Sequence, residues 1–267
     1  MDEFSLSNPI NKNPSRQGRL VFLTRQDPRY TEVIELFKAG WTHPDKNMPY
    51  IHGVCKILSP EWLLKPFRDY KASLSNPSFW SPFLTRPQPE VQESLLFHGT
   101  TRGCLLAENE RNGLLCNLPD CYLCSIIREG FDLQKCGRKN KFSRFGTGIY
   151  TSSCSSKADD YCSNTSEKAT LRVVLVSRVV VGRTYRLRRN DVKLVAPPWG
   201  YNSITGEPGE DLNYEETVVY KNEAIRPAFL VVYGDKPPPP INTHHADRGL
   251  KLRSAMRRIF ATPLATH

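Results

Sequence analysis

The sequence lacks any apolar run close to the roughly 20 residues with which a helix spans a bilayer. Its first residues, MDEFSLSNPINKNPSRQ, lack the hydrophobic segment of a signal peptide. Acidic residues are scarce, since 27 Asp and Glu stand against 37 Lys and Arg and leave a formal net charge of +10. We therefore expect a nuclear or cytoplasmic protein with reduced cysteines. Its positive charge favours nucleic acid, a dinucleotide or an acidic protein as a partner. The alternative is a soluble protein whose surface is basic without such a partner.

Internal repeats and a regular alternation of strand and helix are also missing. Residues 1–17 are polar without a period, and we expect them to be disordered. RYTEVIELFKAGW has helical spacing, and a second helix is predicted with Ser59 as its N-cap and Pro60 at its first position. Strand-like segments then dominate: SLLFHG, GTGIYTS, TLRVVLVSRVVVG, ETVVYKN and AFLVVYG. This pattern predicts an α+β protein with mainly antiparallel pairing.

The character of the chain changes near its end. Residues 234–267 begin with a polyproline run and continue into LKLRSAMRRIFA, a basic stretch with apolar residues at helical spacing. We interpret them as a Pro-rich linker and a basic amphipathic tail. The tail suits nucleic acid, a membrane surface or a partner groove, and packing back on the domain is an equal alternative.

Three patches carry residues that are typical of catalysis. His98, Gly99 and Thr100 end the apolar stretch LLF. The second patch is FGTGIYTSSCSSKADDYC, in which Tyr150 and Tyr161 stand eleven residues apart, and the third is LNYEETVVY with Glu216. Taken alone, each patch also has a purely structural interpretation; His98, for example, could be a core histidine at the end of a strand. In this order, over residues 18–233, they resemble the catalytic domain of the poly(ADP-ribose) polymerases, the His-Tyr-Glu ADP-ribosyltransferases related to diphtheria toxin.

The resemblance implies the ADP-ribosyltransferase fold, in which split, mainly antiparallel sheets flanked by short helices form an NAD cleft. It also implies a catalytic set of His98, Tyr150 and Glu216. The Glu216 carboxylate would stabilise the ribosyl oxocarbenium ion as nicotinamide leaves. His98 would donate a hydrogen bond to a ribose, and the rings of Tyr150 and Tyr161 would lie on the two faces of nicotinamide. The residues that the resemblance implies as NAD contacts are His98, Gly99, Thr100, Tyr150 and Tyr161.

The sequence departs from the family at Ala158, where a serine usually bonds the nicotinamide amide. We expect weaker nicotinamide binding, by about 1 kcal/mol, rather than loss of activity. By the same resemblance, residues 136–146 form the loop over NAD, with Arg138, Lys139, Lys141 and Arg144 available to its pyrophosphate. The loop before Glu216, GYNSITGEPGEDLN, would face the acceptor and presents an acidic patch.

Four of the eight cysteines fall within residues 104–124, which we interpret as a cysteine-rich insertion in the catalytic domain. Cys116, Cys121 and Cys124 form a C-x4-C-x2-C run, and Cys104 lies twelve residues upstream. In a reduced compartment such spacing indicates a metal, and four thiolates complete a structural zinc site. Cys136 could replace one of them, and free buried cysteines are the alternative.

The resemblance therefore implies an NAD-dependent enzyme that transfers ADP-ribose to a macromolecular acceptor, and we expect it to transfer single units. The acceptor is a protein, or, as the basic charge allows, a nucleic-acid end. Two further alternatives are an NAD glycohydrolase, in which water is the acceptor, and a catalytically weak module that binds ADP-ribose or nucleic acid. The presence of Glu216 argues against the last of these.

Overall fold

A five-stranded and a four-stranded sheet dominate the residues that the computed structural model describes, which are 20–75, 91–110, 112–136 and 143–238. The predicted N-terminal arm and almost all of the predicted linker and tail lie outside these residues. The elements in chain order are β1 (Leu20–Phe22), α1 (Pro28–Ala39), β2 (Tyr50–Ile57), α2 (Glu61–Ser75), β3 (Glu93–His98), β4 (Thr101–Arg102), α3 (Tyr122–Glu129), β5 (Ile149–Thr151), α4 (Ser155–Asp159), β6 (Ser163–Asn164), β7 (Arg172–Val180), β8 (Thr184–Leu187), β9 (Ser203–Gly206), β10 (Glu216–Val219) and β11 (Ile225–Gly234).

The first sheet has the strand order β1-β2-β11-β7-β3, and every pair in it is antiparallel. Its central strands, β7 and β11, are almost continuously apolar because both of their faces are covered. Val173 and Leu175 pack on one face with α3, and Val174 and Val176 pack on the other with α1. The side-chain alternation of a strand thus divides one sequence run between two cores.

The second sheet has the order β5-β10-β9-β8 and is antiparallel except for the β8–β9 pair. It packs a smaller core around Phe145, Ile204 and Val218. Strand β9 occupies part of the segment that we expected to be a loop before Glu216. The predicted α+β fold with mainly antiparallel sheets is confirmed. In the described part of the chain, the helices are too short or too polar to cross a membrane.

The two N-terminal helices begin differently from one another. Helix α1 is capped by Asp27, whose carboxylate accepts from Arg29 N at 3.0 Å, with Pro28 in the first position. The Ser59 cap predicted for α2 is wrong, because the helix starts at Glu61 and the Ser59 hydroxyl has no hydrogen-bond partner among the described residues. The carbonyl of Pro60 accepts the N–H groups of the next turn instead.

Arg102 anchors the segment that follows the His98 turn. Its side chain is 1% exposed. Its guanidinium donates to Asn164 Oδ1 at 3.0 Å, to Leu106 O at 2.8 Å, to Glu108 Oε2 at 3.0 Å and to Leu171 O. A planar fork of five N–H donors suits this arrangement, and the aliphatic stem of Arg102 is buried with it. One side chain therefore joins β4, the cysteine-rich insertion and the start of β7.

We expect Arg102→Met to lower the free energy of unfolding by about 3 kcal/mol, because it removes the buried cation that pairs with the carboxylate of Glu108 and the donor to the Leu106 carbonyl. Urea denaturation monitored by circular dichroism measures this. Arg68→Met is the matched control, since the ion pair of Arg68 with Glu61 is exposed and contributes under about 1 kcal/mol. Equal losses in the two variants would contradict the role of Arg102.

Candidate functional site

His98 ends β3 and faces the second sheet. Its Nδ1 donates to the main-chain oxygen of Tyr150 at 2.8 Å, and its ring meets the ring of Phe131 edge-on at 5.0 Å. Desolvation lowers the pKa of His98, and the bond to Tyr150 opposes that shift. Because Nδ1 already carries the shared proton, the neutral ring presents Nε2 as an acceptor. A ligand hydroxyl that meets this edge of the ring would therefore donate to Nε2.

Tyr150 lies on β5 with its hydroxyl fully engaged. The oxygen accepts from Phe145 N at 2.9 Å, and its proton goes to Gly146 O at 2.8 Å. Desolvation raises the pKa of this phenol to about 12, and the charge of Glu216 adds to the shift. The hydroxyl therefore fixes the orientation of the ring and is not available as an acid or base near neutral pH.

Tyr161 follows α4 and is 49% exposed. Desolvation and the negative charge of Glu216 raise its pKa, as they raise that of Tyr150. Thr100 follows Gly99, and its carbonyl accepts from Ser163 N at 3.3 Å.

Glu216 is the first residue of β10 and is 6% exposed. One carboxylate oxygen lies 2.9 Å from Lys157 Nζ, whereas Oε2 is buried without a hydrogen-bond partner among the described residues. The Lys157 ammonium also donates to Tyr214 O at 3.0 Å. A buried carboxylate oxygen is almost always bonded in a folded protein, so Oε2 is an acceptor that a ligand can satisfy.

Glu215, the neighbouring candidate, lies differently. Its carboxylate accepts from Ser153 Oγ at 3.3 Å, and its carbonyl accepts from Ser152 Oγ. Glu216, not Glu215, is the residue next to Lys157 and opposite Gly206 in the β9–β10 ladder. Our sequence reasoning gave no role to Lys157, although it stands in the same motif as Tyr161, four residues before it.

Charged residues around the site are mostly paired. Arg144 donates to Asn190 Oδ1 at 3.3 Å and to Asp211 O at 2.6 Å, and the other three cations predicted for the NAD loop lie outside the described residues. The acidic patch predicted before Glu216 is matched by arginines of and after β8. Glu207 binds Arg186 and Arg188, and Glu210 binds Arg189. The segment before Glu216 and the arginines that pair with it therefore carry little net charge together.

The four predicted metal ligands converge. The sulfur atoms of Cys104, Cys116, Cys121 and Cys124 all lie within 4.8 Å of one another. Cys104 Sγ is 3.7 Å from Cys121 Sγ and 3.6 Å from Cys124 Sγ. A tetrahedral zinc with bonds of about 2.3 Å to sulfur has edges of about 3.8 Å, so the geometry is compatible with zinc. Cys136 bonds Asp132 O instead and is not in the cluster.

A comparison with protein-family models gives a match to the middle of the chain. A model described as the poly(ADP-ribose) polymerase catalytic domain matches residues 63–210, which is more than half of the 267 residues. The matched range contains His98, Tyr150, Tyr161 and the four clustered cysteines. Glu216 lies just beyond it, on the strand that pairs with β5.

A substitution at Gly99 tests how closely the turn after β3 packs against α4. A Cβ at Gly99 would lie 1.9 Å from Ala158 O and 2.8 Å from Tyr161 Cβ, so the turn after β3 touches α4 directly. We expect Gly99→Ala to destabilise the protein by about 2 kcal/mol, because either the turn or the helix must move. Thermal unfolding measures this effect. Gly53→Ala is the control, since a Cβ there meets nothing within 4 Å, and comparable melting of the two variants would contradict the close packing.

Proposed function

Because the chain belongs to the poly(ADP-ribose) polymerase catalytic-domain family and is an NAD-dependent ADP-ribosyltransferase, we propose that it transfers single ADP-ribose units to a macromolecular acceptor. In this reaction the bond between ribose C1′ and the nicotinamide nitrogen breaks, and nicotinamide leaves with the bonding electrons. An acceptor oxygen then bonds to C1′ and loses its proton. The observation that carries the proposal is the buried Glu216 carboxylate, with one oxygen on Lys157 and the other unpartnered.

In the proposed mechanism, Glu216 acts by electrostatics. The free oxygen of its carboxylate would accept from the 2′-hydroxyl of the ribose and oppose the positive charge that develops at C1′. Lys157 offsets the cost of burying the carboxylate and holds one of its oxygens in place. The group is pre-organised, so little reorganisation is needed as charge develops.

The remaining residues would bind NAD. The rings of Tyr150 and Tyr161 would stack on nicotinamide, and Gly99 would let its amide approach the main chain, since no side chain intervenes. His98 Nε2 would accept from a hydroxyl of the other ribose, and Thr100 would add a contact there. Ala158 is buried and offers no hydroxyl, which supports weaker binding of nicotinamide.

Single-unit transfer is supported by the paired charges before Glu216. A growing poly(ADP-ribose) chain is a polyanion, and its binding needs a positive field on the acceptor side. By family resemblance, that side is the segment in which Glu207 and Glu210 neutralise arginines. Because this segment and its arginines carry little net charge together, they favour an acceptor that is not a polyanion.

The variant Glu216→Gln tests the mechanism. With labelled NAD and a panel of proteins and end-phosphorylated oligonucleotides, we expect it to reduce transfer by roughly 100-fold to 1000-fold, the range for losing a pre-organised electrostatic group. Glu215→Gln is the matched control and should retain transfer, because its carboxylate bonds Ser153 rather than Lys157. Full activity of Glu216→Gln would contradict the mechanism. Nicotinamide release with no labelled macromolecule would identify a glycohydrolase instead.

We further propose that Cys104, Cys116, Cys121 and Cys124 hold a structural zinc ion. Four thiolates fill a tetrahedral coordination sphere and leave no open position for substrate, so the ion would stabilise the insertion rather than take part in the reaction.

Metal analysis of the purified protein tests the zinc proposal. We expect about one zinc per chain, and loss of that zinc with a lower melting temperature in Cys121→Ser and Cys124→Ser. Cys136→Ser is the control, since the Cys136 thiol bonds a carbonyl outside the cluster, and it should keep its zinc. A zinc-free wild-type protein would contradict the proposal.

A further inference from the structure

A short segment after α1, residues 41–46, lies across α4. The N–H groups of Thr42 and His43 donate to Ser156 Oγ at 3.0 and 3.1 Å, and His43 Nδ1 lies 2.7 Å from the same oxygen. Lys46 Nζ donates to Ser156 O at 3.0 Å and to Asp159 Oδ2 at 2.8 Å. These contacts join parts of the chain more than 100 residues apart.

Hydrogen bonds orient the His43 ring. Ser156 Oγ accepts two main-chain N–H groups and lies 2.7 Å from His43 Nδ1 and 3.2 Å from Cys154 Sγ. His43 Nε2 lies 3.7 Å from Asp160 Oδ2. Both edges of the ring face groups at the two ends of α4, and the orientation of the ring is thereby restricted.

The backbone approaches α4 closely at the same place. A Cβ at Gly40 would lie 2.4 Å from Ser153 O and 2.9 Å from Ser155 N. Ser155 Oγ donates to Phe37 O at 2.6 Å, so the end of α1 is bonded to the first turn of α4. The position of His43 relative to α4 therefore depends on main-chain packing as well as on its own side chain.

The face of the His43 ring stacks on Tyr214. The ring centroids are 3.9 Å apart and the planes are inclined by 21°. Tyr214 stands two residues before Glu216, and its carbonyl accepts from Lys157 Nζ at 3.0 Å. Since Lys157 follows Ser156 and binds Glu216, the contacts close a ring from Ser156 through His43, Tyr214 and Lys157 back to α4.

We propose that His43 is a positioning residue for the Lys157–Glu216 pair. It touches neither member of the pair and acts through the stack on Tyr214, which holds the Tyr214 carbonyl where the Lys157 ammonium needs an acceptor. His43 and Tyr214 both lie outside residues 63–210, so the family model does not account for their contact. The inference rests on the proposed role of Glu216.

Three variants test the proposal, with NAD cleavage measured at several NAD concentrations. Tyr214→Leu removes the stack. His43→Asn removes it too, while the amide oxygen can still accept from Ser156 and keep α4 in place. We expect each to lower kcat about tenfold with KM for NAD unchanged, since a small displacement of catalytic groups costs this much or more. Tyr214→Phe keeps the ring and should keep the wild-type kcat.

The double variant His43→Asn/Tyr214→Leu should be no slower than either single variant, because both remove the same contact. His52→Asn is the matched control, since His52 lies on β2 and bonds Lys236 O, away from α4, and it should have the wild-type kcat. Wild-type kcat in His43→Asn and Tyr214→Leu, beside an inactive Glu216→Gln, would overturn the proposal. An equal loss in Tyr214→Phe would overturn it as well. Full activity of Glu216→Gln would instead contradict the proposed function.

Discussion

The arrangement of the site depends on keeping one carboxylate out of water. The Glu216 side chain is 8% exposed, and burying a charge is costly unless a partner compensates for it. Lys157 is that partner, yet it reaches only one carboxylate oxygen, and the second remains unsatisfied. In a purely structural ion pair this would be a defect, because the uncompensated oxygen lowers the stability of the fold. In the proposed site, which would receive a hydroxyl-rich substrate, the same oxygen would be the acceptor that the chemistry requires, and stability would be given up for function.

The two sheets contribute opposite sides of the proposed NAD site. His98 belongs to the first sheet, and Tyr150 and Glu216 belong to the second. In the described part of the chain, the contacts between them at the site include the bond from His98 Nδ1 to Tyr150 O and the bridge between Phe97 and Ser152, and Lys157 of α4 adds its pair with Glu216. Helix α4 takes part in the last of these and packs on Gly99 as well. A helix of five residues is too short to be stable alone, so its position has to come from its neighbours.

Local patterns predicted much of this molecule, and contacts distant in sequence account for what they missed. The strand-like stretches β3, β7 and β11 and the cysteine spacing are local, and the structure agrees with them. The Ser59 cap failed because the Pro60 carbonyl begins the helix instead. The acidic patch before Glu216 is paired with arginines about 20 residues earlier, and only the β8–β9 register brings them together. His43 could not be found from sequence, because its partner Ser156 is 113 residues away.

The turn after β3 shows how separate constraints meet in a few residues. His98 needs a rigid strand behind it, Gly99 needs the absence of a side chain, and Arg102 needs complete burial with its acceptors. Arg102 and the cysteine cluster both hold the insertion that starts directly after this turn. The insertion ends in α3, and Phe131, just beyond α3, packs edge-on against the His98 ring. A loosened insertion would therefore reach His98 through Phe131, although none of the four cysteines touches that ring. The cysteine cluster thus helps to hold His98 in the proposed NAD site. Glu216 is held separately, by Lys157 of α4.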